Sequence, residues 1–204
     1  MPMILRATSN FAYFGAFFLF PLLMEKGYGF SISRVGVISL ARPLIFSISS
    51  PIAGYITMRI GERVSAFAGA AFLTTSLVLF SLLHPSTGVW FIVLALALSG
   101  LGMGVGMPAS SSAMANEVQP GEFGVMSAAQ MLAVQVGEVA GIEVLVTIRQ
   151  FLVRHDDLTG AKPGPSLLAT FHLSFVLGAA VASVGVVAAY FMRAVPRSRK
   201  KRAQ

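Results

Sequence analysis

The sequence contains no cysteine. Disulfide bridges and thiolate metal sites are therefore excluded, and the redox compartment is left open. Charge is scarce too. Asp, Glu, Lys and Arg together make up 11% of the 204 residues, where a soluble domain carries roughly a quarter. Apolar side chains make up 55%. A soluble fold of this size could not cover its surface with so few charges, so lipid must cover most of it. Metal-ligand clusters, phosphate loops and catalytic triads are also missing from the pattern, and neither a cofactor nor a metal is expected.

What charge there is leans positive, with a formal net charge of +7. This does not point to nucleic acid, because the basic residues are not clustered with aromatics on one polar face. Most stand at the ends of apolar runs, and the last cluster, Arg197, Arg199, Lys200, Lys201 and Arg202, follows directly on one. Cationic flanks of this kind mark the cytoplasmic side of membrane spans. The N-terminal run holds Asn10 and ends at the bulky Met24 with no small-residue cleavage site. It reads as a retained first helix, not a cleaved signal.

A bilayer core takes about 20 apolar residues per helix. Six segments meet that length: Ile4–Met24, Ser33–Met58, Val64–Leu83, Gly88–Met114, Glu122–Arg149 and Thr170–Met192. Turn chemistry separates them, at Gly27 and Gly29, Gly61, Pro85 to Gly88, Pro120-Gly121, and Gly160 to Pro165. The expected fold is all-α, a polytopic bundle of six transmembrane helices in one domain over 1–204, with a basic tail at 193–204. Nine cations fall on the side of the termini: Arg6, Arg59, Arg63, Arg193, Arg197, Arg199, Lys200, Lys201 and Arg202. Five fall on the other side: Lys26, Arg34, Arg149, Arg154 and Lys162. Arg42 lies inside a span. The asymmetry predicts a multi-pass protein of the cell (inner) membrane with both termini cytoplasmic.

The third and sixth segments are nearly pure apolar or small residues and are expected to face mainly lipid. The first, second, fourth and fifth hold Asn10, Arg42, Ser110 to Ser112, Gln130, Gln135, Glu138 and Glu143. Lipid cannot satisfy polar groups, so these four helices are expected to line protein or a water-filled cavity. Two polar-bearing helices followed by an apolar one, twice over, is the signature of a three-plus-three inverted repeat.

After the second segment the chain reads Gly54-Tyr-Ile-Thr-Met-Arg59-Ile-Gly61-Glu62-Arg63. Gly54 would let a neighbouring helix approach closely. Gly61 makes the tight turn, and Arg59 and Arg63 hold the loop at the cytoplasmic surface. The stretch resembles the short loop motif of the major facilitator superfamily. Met58 stands where that motif has an aspartate, and Glu62 is the acid at hand to replace it.

The fourth segment carries Gly100, Gly102, Gly104 and Gly106, then Pro108. Small residues four apart permit close backbone contact, and Pro108 removes a helix hydrogen bond and should kink the helix. Gln119-Pro-Gly-Glu-Phe-Gly124 and then Gln130, Gly137 and Gly141 follow. This order is similar to the second half of drug:proton antiporters of the fourteen-helix type, and the resemblance spans essentially the whole chain. It implies half of a major facilitator fold, the C-terminal six-helix half, and proton-coupled efflux of small organic or drug-like molecules by alternating access. The partners it implies are the lipid bilayer, protons, a small organic substrate, and a second six-helix half or another copy of this chain. An accessory or truncated subunit without transport activity of its own is the alternative.

On the fifth segment, at about 100° per residue, Ser127, Gln130, Gln135, Glu138, Gly141 and Arg149 share one stripe. Glu138 lies mid-helix, where desolvation favours the protonated form, and it is the proton-coupling candidate. Glu143 falls off the stripe and has no assigned role. Arg42 lies roughly 13 Å and Glu138 roughly 16 Å from the outer face, and both are expected to face the groove that a second half would close. Asn10 sits among Phe11, Tyr13, Phe14, Phe17 and Phe18. An aromatic cavity with few charges suits an apolar or amphipathic substrate. Asn10, Arg42, Gln130 and Gln135 are the cavity-lining candidates. Gly100, Gly104, Pro108, Gly137 and Gly141 are the helix-packing or kink positions.

Ser110, Ser111 or Ser112 with His172 offers the residue types of an intramembrane serine–histidine protease dyad. Topology separates them. Ser111 lies about 23 residues, or roughly 34 Å, from the outer face, where His172 begins its helix. A nucleophile and its base must lie about 3 Å apart, so the chain is not expected to be an enzyme.

Overall fold

The computed structural model of the chain describes residues 1–84, 86–159 and 165–192. Pro85, residues 160–164 of the last expected break and the expected basic tail lie outside the described residues. The helices are α1 (Pro2–Lys26), α2 (Ile32–Ser39), α3 (Ala41–Ile60), α4 (Glu62–Ser81), α5 (Val89–Ala115), α6 (Phe123–Thr159) and α7 (Pro165–Tyr190). With α2 and α3 counted together, six spans are long and apolar enough to cross a membrane. No strand occurs among the described residues.

Local chemistry sets the breaks. Ser31 caps α2, its hydroxyl accepting from the Arg34 N–H at 3.4 Å. The second span breaks at Leu40 because Pro43 has no N–H to give the Ser39 carbonyl, its partner four residues back. Gly61 turns α3 into α4 at φ +98°, a conformation that costs a side-chain-bearing residue dearly.

The packing has the symmetry of a repeated unit. α1 lies along α6 as α5 lies along α3, and α4 meets α5 as α7 meets α1. Exchanging spans one and four, two and five, three and six maps these contacts onto one another, and the α1–α5 and α4–α7 contacts onto themselves. Three spans per repeat reverse the chain direction, so the second repeat is inverted relative to the first.

Glycines bring the backbones together. Successive alternate positions on a helix lie about 200° apart and positions four apart only about 40°. Gly100 and Gly104 accordingly face α3, at the Arg42 carbonyl and Ser49, while Gly102 faces α4, where an added Cβ would lie 2.7 Å from the Leu73 nitrogen. On the other side, Gly137 abuts the Ala7 carbonyl and Gly141 the Phe11 carbonyl of α1. Gly54 is different. A Cβ there would meet nothing within 4 Å, so the close approach expected at Gly54 is not made within this chain.

Lipid exposure also falls differently from the expectation. In the second and fifth spans 17% of the most apolar stretch is buried, against 44% in each of the other four. The third and sixth spans are therefore core helices. Leu73, Leu77 and Phe80 of α4 pack with Phe171 and Phe175 of α7 and with Leu19, Phe20 and Leu23 of α1. The Phe80 and Phe175 rings stack at 5.2 Å. Lipid tails and leucine are equally apolar, so composition cannot separate a lipid-facing helix from a packed one.

Leu5, Ala66, Ala113 and Met192 cluster at one end, the terminal end. At the opposite end the Tyr28 hydroxyl donates to the His84 carbonyl at 2.6 Å. Burial pushes the Tyr28 phenol above its usual range, against a smaller opposing effect from its bond with Thr87.

Candidate functional site

Positions 6, 10, 13, 14 and 17 recur at helical spacing and form one face of α1. The corresponding side chains, Arg6, Asn10, Tyr13, Phe14 and Phe17, line a cavity of about 400 Å³. Pro43 and Phe46 close it from α3, Met103 and Met107 from α5, and Val134 from α6. The lining is aromatic and thioether-rich, with few polar groups, and of a size for a small organic molecule.

Two cations border it. Arg42 emerges two residues after the break in the second span and is 1% exposed. Its Nη2 donates to the Tyr13 carbonyl at 2.8 Å, and the guanidinium lies 3.8 Å over the Tyr13 ring and 5.4 Å from the Phe17 ring. Its Nε and Nη1 have no hydrogen-bond partner among the described residues. Arg6, at 4% exposure, donates from Nη1 to Ser110 Oγ at 3.3 Å and to the Met107 carbonyl at 3.5 Å. Its Nε is also buried without a partner, beside a void of about 10 Å³, room for about one water. A buried donor left unmade costs about 1–3 kcal/mol, and more when charged.

Asn10 lines the cavity, with its amide turned to the Arg6 carbonyl at 2.7 Å. Arg42 lies behind Tyr13 and Phe17, not on the cavity wall. Gln130 and Gln135 do not line this cavity. Gln130 donates to Ser111 Oγ at 2.8 Å, and Gln135 is exposed. Glu138 is half-buried, one turn along the same face from Val134, and no hydrogen bond or ion pair is formed by it among the described residues. Because Gly137 abuts Ala7, Glu138 lies level with Thr8, about 7.5 Å along the axis from the level of Tyr13. Arg42 and Glu138 are thus offset in depth, contrary to the counting of residues from helix ends. That count ignored the different lengths by which the helices overrun the bundle.

Arg6 is the main residue that sequence reasoning missed. It was assigned to the cytoplasmic flank because it stands near the start of an apolar run. The available signal was its spacing of four from Asn10, which puts both on one face. Arg149, counted on the other flank, is buried too, with its guanidinium 4.6 Å from the Phe171 ring. Removing one residue from each side leaves eight cations against four, so the predicted orientation keeps its sign.

The loop residues tie the terminal end together. Arg59 donates to the Tyr55 hydroxyl, and Arg63 lies 4.9 Å from the Tyr190 ring. Glu62 accepts from Ser112 Oγ and Asn116 Nδ2, each at 3.0 Å, linking the turn after α3 to the end of α5. Pro108 sits inside α5, and Gly100, Gly104, Gly137 and Gly141 make the close contacts described above. His172 bonds the Leu83 carbonyl at 2.6 Å, at the end opposite Ser110–Ser112, so no serine–histidine dyad forms.

The Major Facilitator Superfamily matches residues 3–204 of the chain. The chain belongs to this superfamily. No curated protein matches it. Among solved structures it is similar to tetrameric PepTSo2, with 20% identity and a TM-score of 0.78, over 93% of this chain and 38% of that one. It is also similar to a mutant of the peptide transporter POT in complex with alafosfalin, with 18% identity and a TM-score of 0.74, over 99% of this chain and 42% of that one. At these identities the likeness is one of fold. The chain spans about two-fifths of the length of either structure, with the fold and family of a membrane transporter.

Proposed function

We propose that the chain is one six-helix half of a proton-coupled transporter that exports small organic, drug-like molecules by alternating access. A second six-helix body, from another copy or another part of the same protein, closes the cavity, and both termini lie in the cytoplasm. The observation that carries the reading is the aromatic cavity on the α1 face, walled by both repeats, with Glu138 one turn beyond its α6 wall. The drug:proton antiporter resemblance supplies the direction and the coupling ion. Glu138 is the proton site: it is a carboxylate within a span, half-buried and unpaired among the described residues, and the polar alternative at that position, glutamine, carries no titratable proton.

The test is transport into inverted membrane vesicles carrying the assembled protein. Glu138→Gln leaves the protein folded and inserted but abolishes substrate accumulation driven by a pH gradient. Unchanged accumulation at every pH would make Glu138 a structural residue. The competing reading is an accessory or truncated subunit without transport activity of its own. Full transport by a partner body lacking this chain would select it.

A further inference from the structure

We infer that the cavity takes an amphipathic organic anion, its apolar body against Tyr13, Phe14, Phe17 and Phe46 and its carboxylate or sulfonate beside Arg6 and Arg42. The inference rests on the reading of this cavity as the substrate site, and it names the charge of what binds there.

The contacts around the two arginines are lopsided. Each guanidinium is almost wholly buried, and each retains its charge, since arginine does not deprotonate in proteins. Yet their protein partners are neutral: a backbone carbonyl for Arg42, a hydroxyl and a carbonyl for Arg6. No carboxylate pairs with either among the described residues. Three of their donors, Nε and Nη1 of Arg42 and Nε of Arg6, remain unmade. A buried charge is ordinarily paired, so the site is short of one negative group.

The cavity wall separates the candidates for that group. Its lining includes no acid, so a cationic molecule would enter beside two uncompensated positive charges in a low-dielectric setting and be repelled. A neutral molecule could offer an oxygen to these donors but would leave both charges uncompensated. An anion supplies acceptors, and a carboxylate or sulfonate can meet the planar fork of a guanidinium with two oxygens. Arg6 lies on the wall itself. Arg42 lies behind the wall, under Tyr13 and Phe17, and adds its positive charge to the cavity from there.

Equilibrium dialysis of the purified protein in detergent, in the assembly it forms in the membrane, tests this with three probes of one shape: 1-naphthoate, 1-naphthamide and 1-naphthylmethylammonium. Naphthoate should bind about tenfold or more tighter than naphthamide, the effect of charge-assisted hydrogen bonds, and the ammonium should not compete. Arg6→Gln should erase most of that preference, weakening naphthoate far more than naphthamide, while Arg6→Lys retains part of it. Arg42→Gln should act as Arg6→Gln does, and if it fails to fold, Arg6→Gln alone decides. Equal binding of naphthoate and naphthamide overturns the inference, as does the absence of saturable binding of any probe, or a preference that survives Arg6→Gln. Anion-selective binding without any transport in vesicles would instead sink the transport reading and leave this one standing.

Discussion

Arg42→Met removes a fully buried cation and keeps an unbranched side chain. The loss comprises one hydrogen bond from a charged donor to the Tyr13 carbonyl, about 1.5–3 kcal/mol, and a desolvated contact with the Tyr13 ring, about 2 kcal/mol. Against it stands the relief of two buried unmade donors, Nε and Nη1, at about 1–3 kcal/mol each. The middle values, about 4 kcal/mol on either side, nearly cancel, as replacement of buried ions by apolar groups often does. For a chain of this size about 1 kcal/mol moves the midpoint by roughly 2–4 °C. Thermal melting in detergent, followed by size-exclusion chromatography, should place Arg42→Met within about 4 °C of the parent. If Arg42 were held only by its favourable contacts, the midpoint would fall by about 8–16 °C. That fall would show that Arg42 is retained for stability, and would remove the reason to seek an anion beside it.

The same melting assay separates two glycines of equal propensity. Gly141→Ala drives a Cβ into the Phe11 backbone and should lower the midpoint by up to about 8 °C, an overpacking cost of about 1–3 kcal/mol less the roughly 1 kcal/mol gained in helix propensity. Gly54→Ala meets nothing and should melt at or above the parent; identical behaviour of the two would refute the close α1–α6 contact. A reporter fused after Gln204 should be active only in the cytoplasm, and activity confined to the outside would reverse the proposed orientation.

The sequence made the bundle legible because a bilayer needs long apolar helices and the breaks between them carry glycine and proline. The glycine pairs were legible for the same reason, since spacing by four on a helix has one geometric meaning. The role of Gly102 was harder to read. It stands between Gly100 and Gly104, and only the 200° step explains why α5 can serve α3 and α4 at once. Burial was not legible. The apolar third and sixth spans look like lipid-facing helices and are core helices, because membrane packing draws on the same residues as lipid contact. Arg6 was misplaced by a rule about positions near span ends, and Arg42, correctly singled out, lies one ring behind the cavity, a distinction of rotamer that spacing does not contain.

The glycine contacts and the cavity wall use different sides of the same helix. On α1, Ala7, Phe11 and Gly15 meet α6, whereas Arg6, Asn10, Tyr13 and Phe17 lie about 100–160° round the axis from that line. Backbone contacts of this closeness leave little room for sliding, since few side chains stand between the helices at these points. The α1–α6 and α3–α5 pairs are therefore stiff, and the cavity face is left to side chains that can rotate, Phe17 foremost. The proposed alternating access needs that division. A half that deformed internally would change its own cavity with each cycle, whereas a stiff half rocking against a second body changes only which end of the cavity is open. The least buried spans, the second and fifth, are symmetry mates, and in the proposed function they are the surfaces available to that body; Gly54, with no close neighbour among the described residues, lies on one of them.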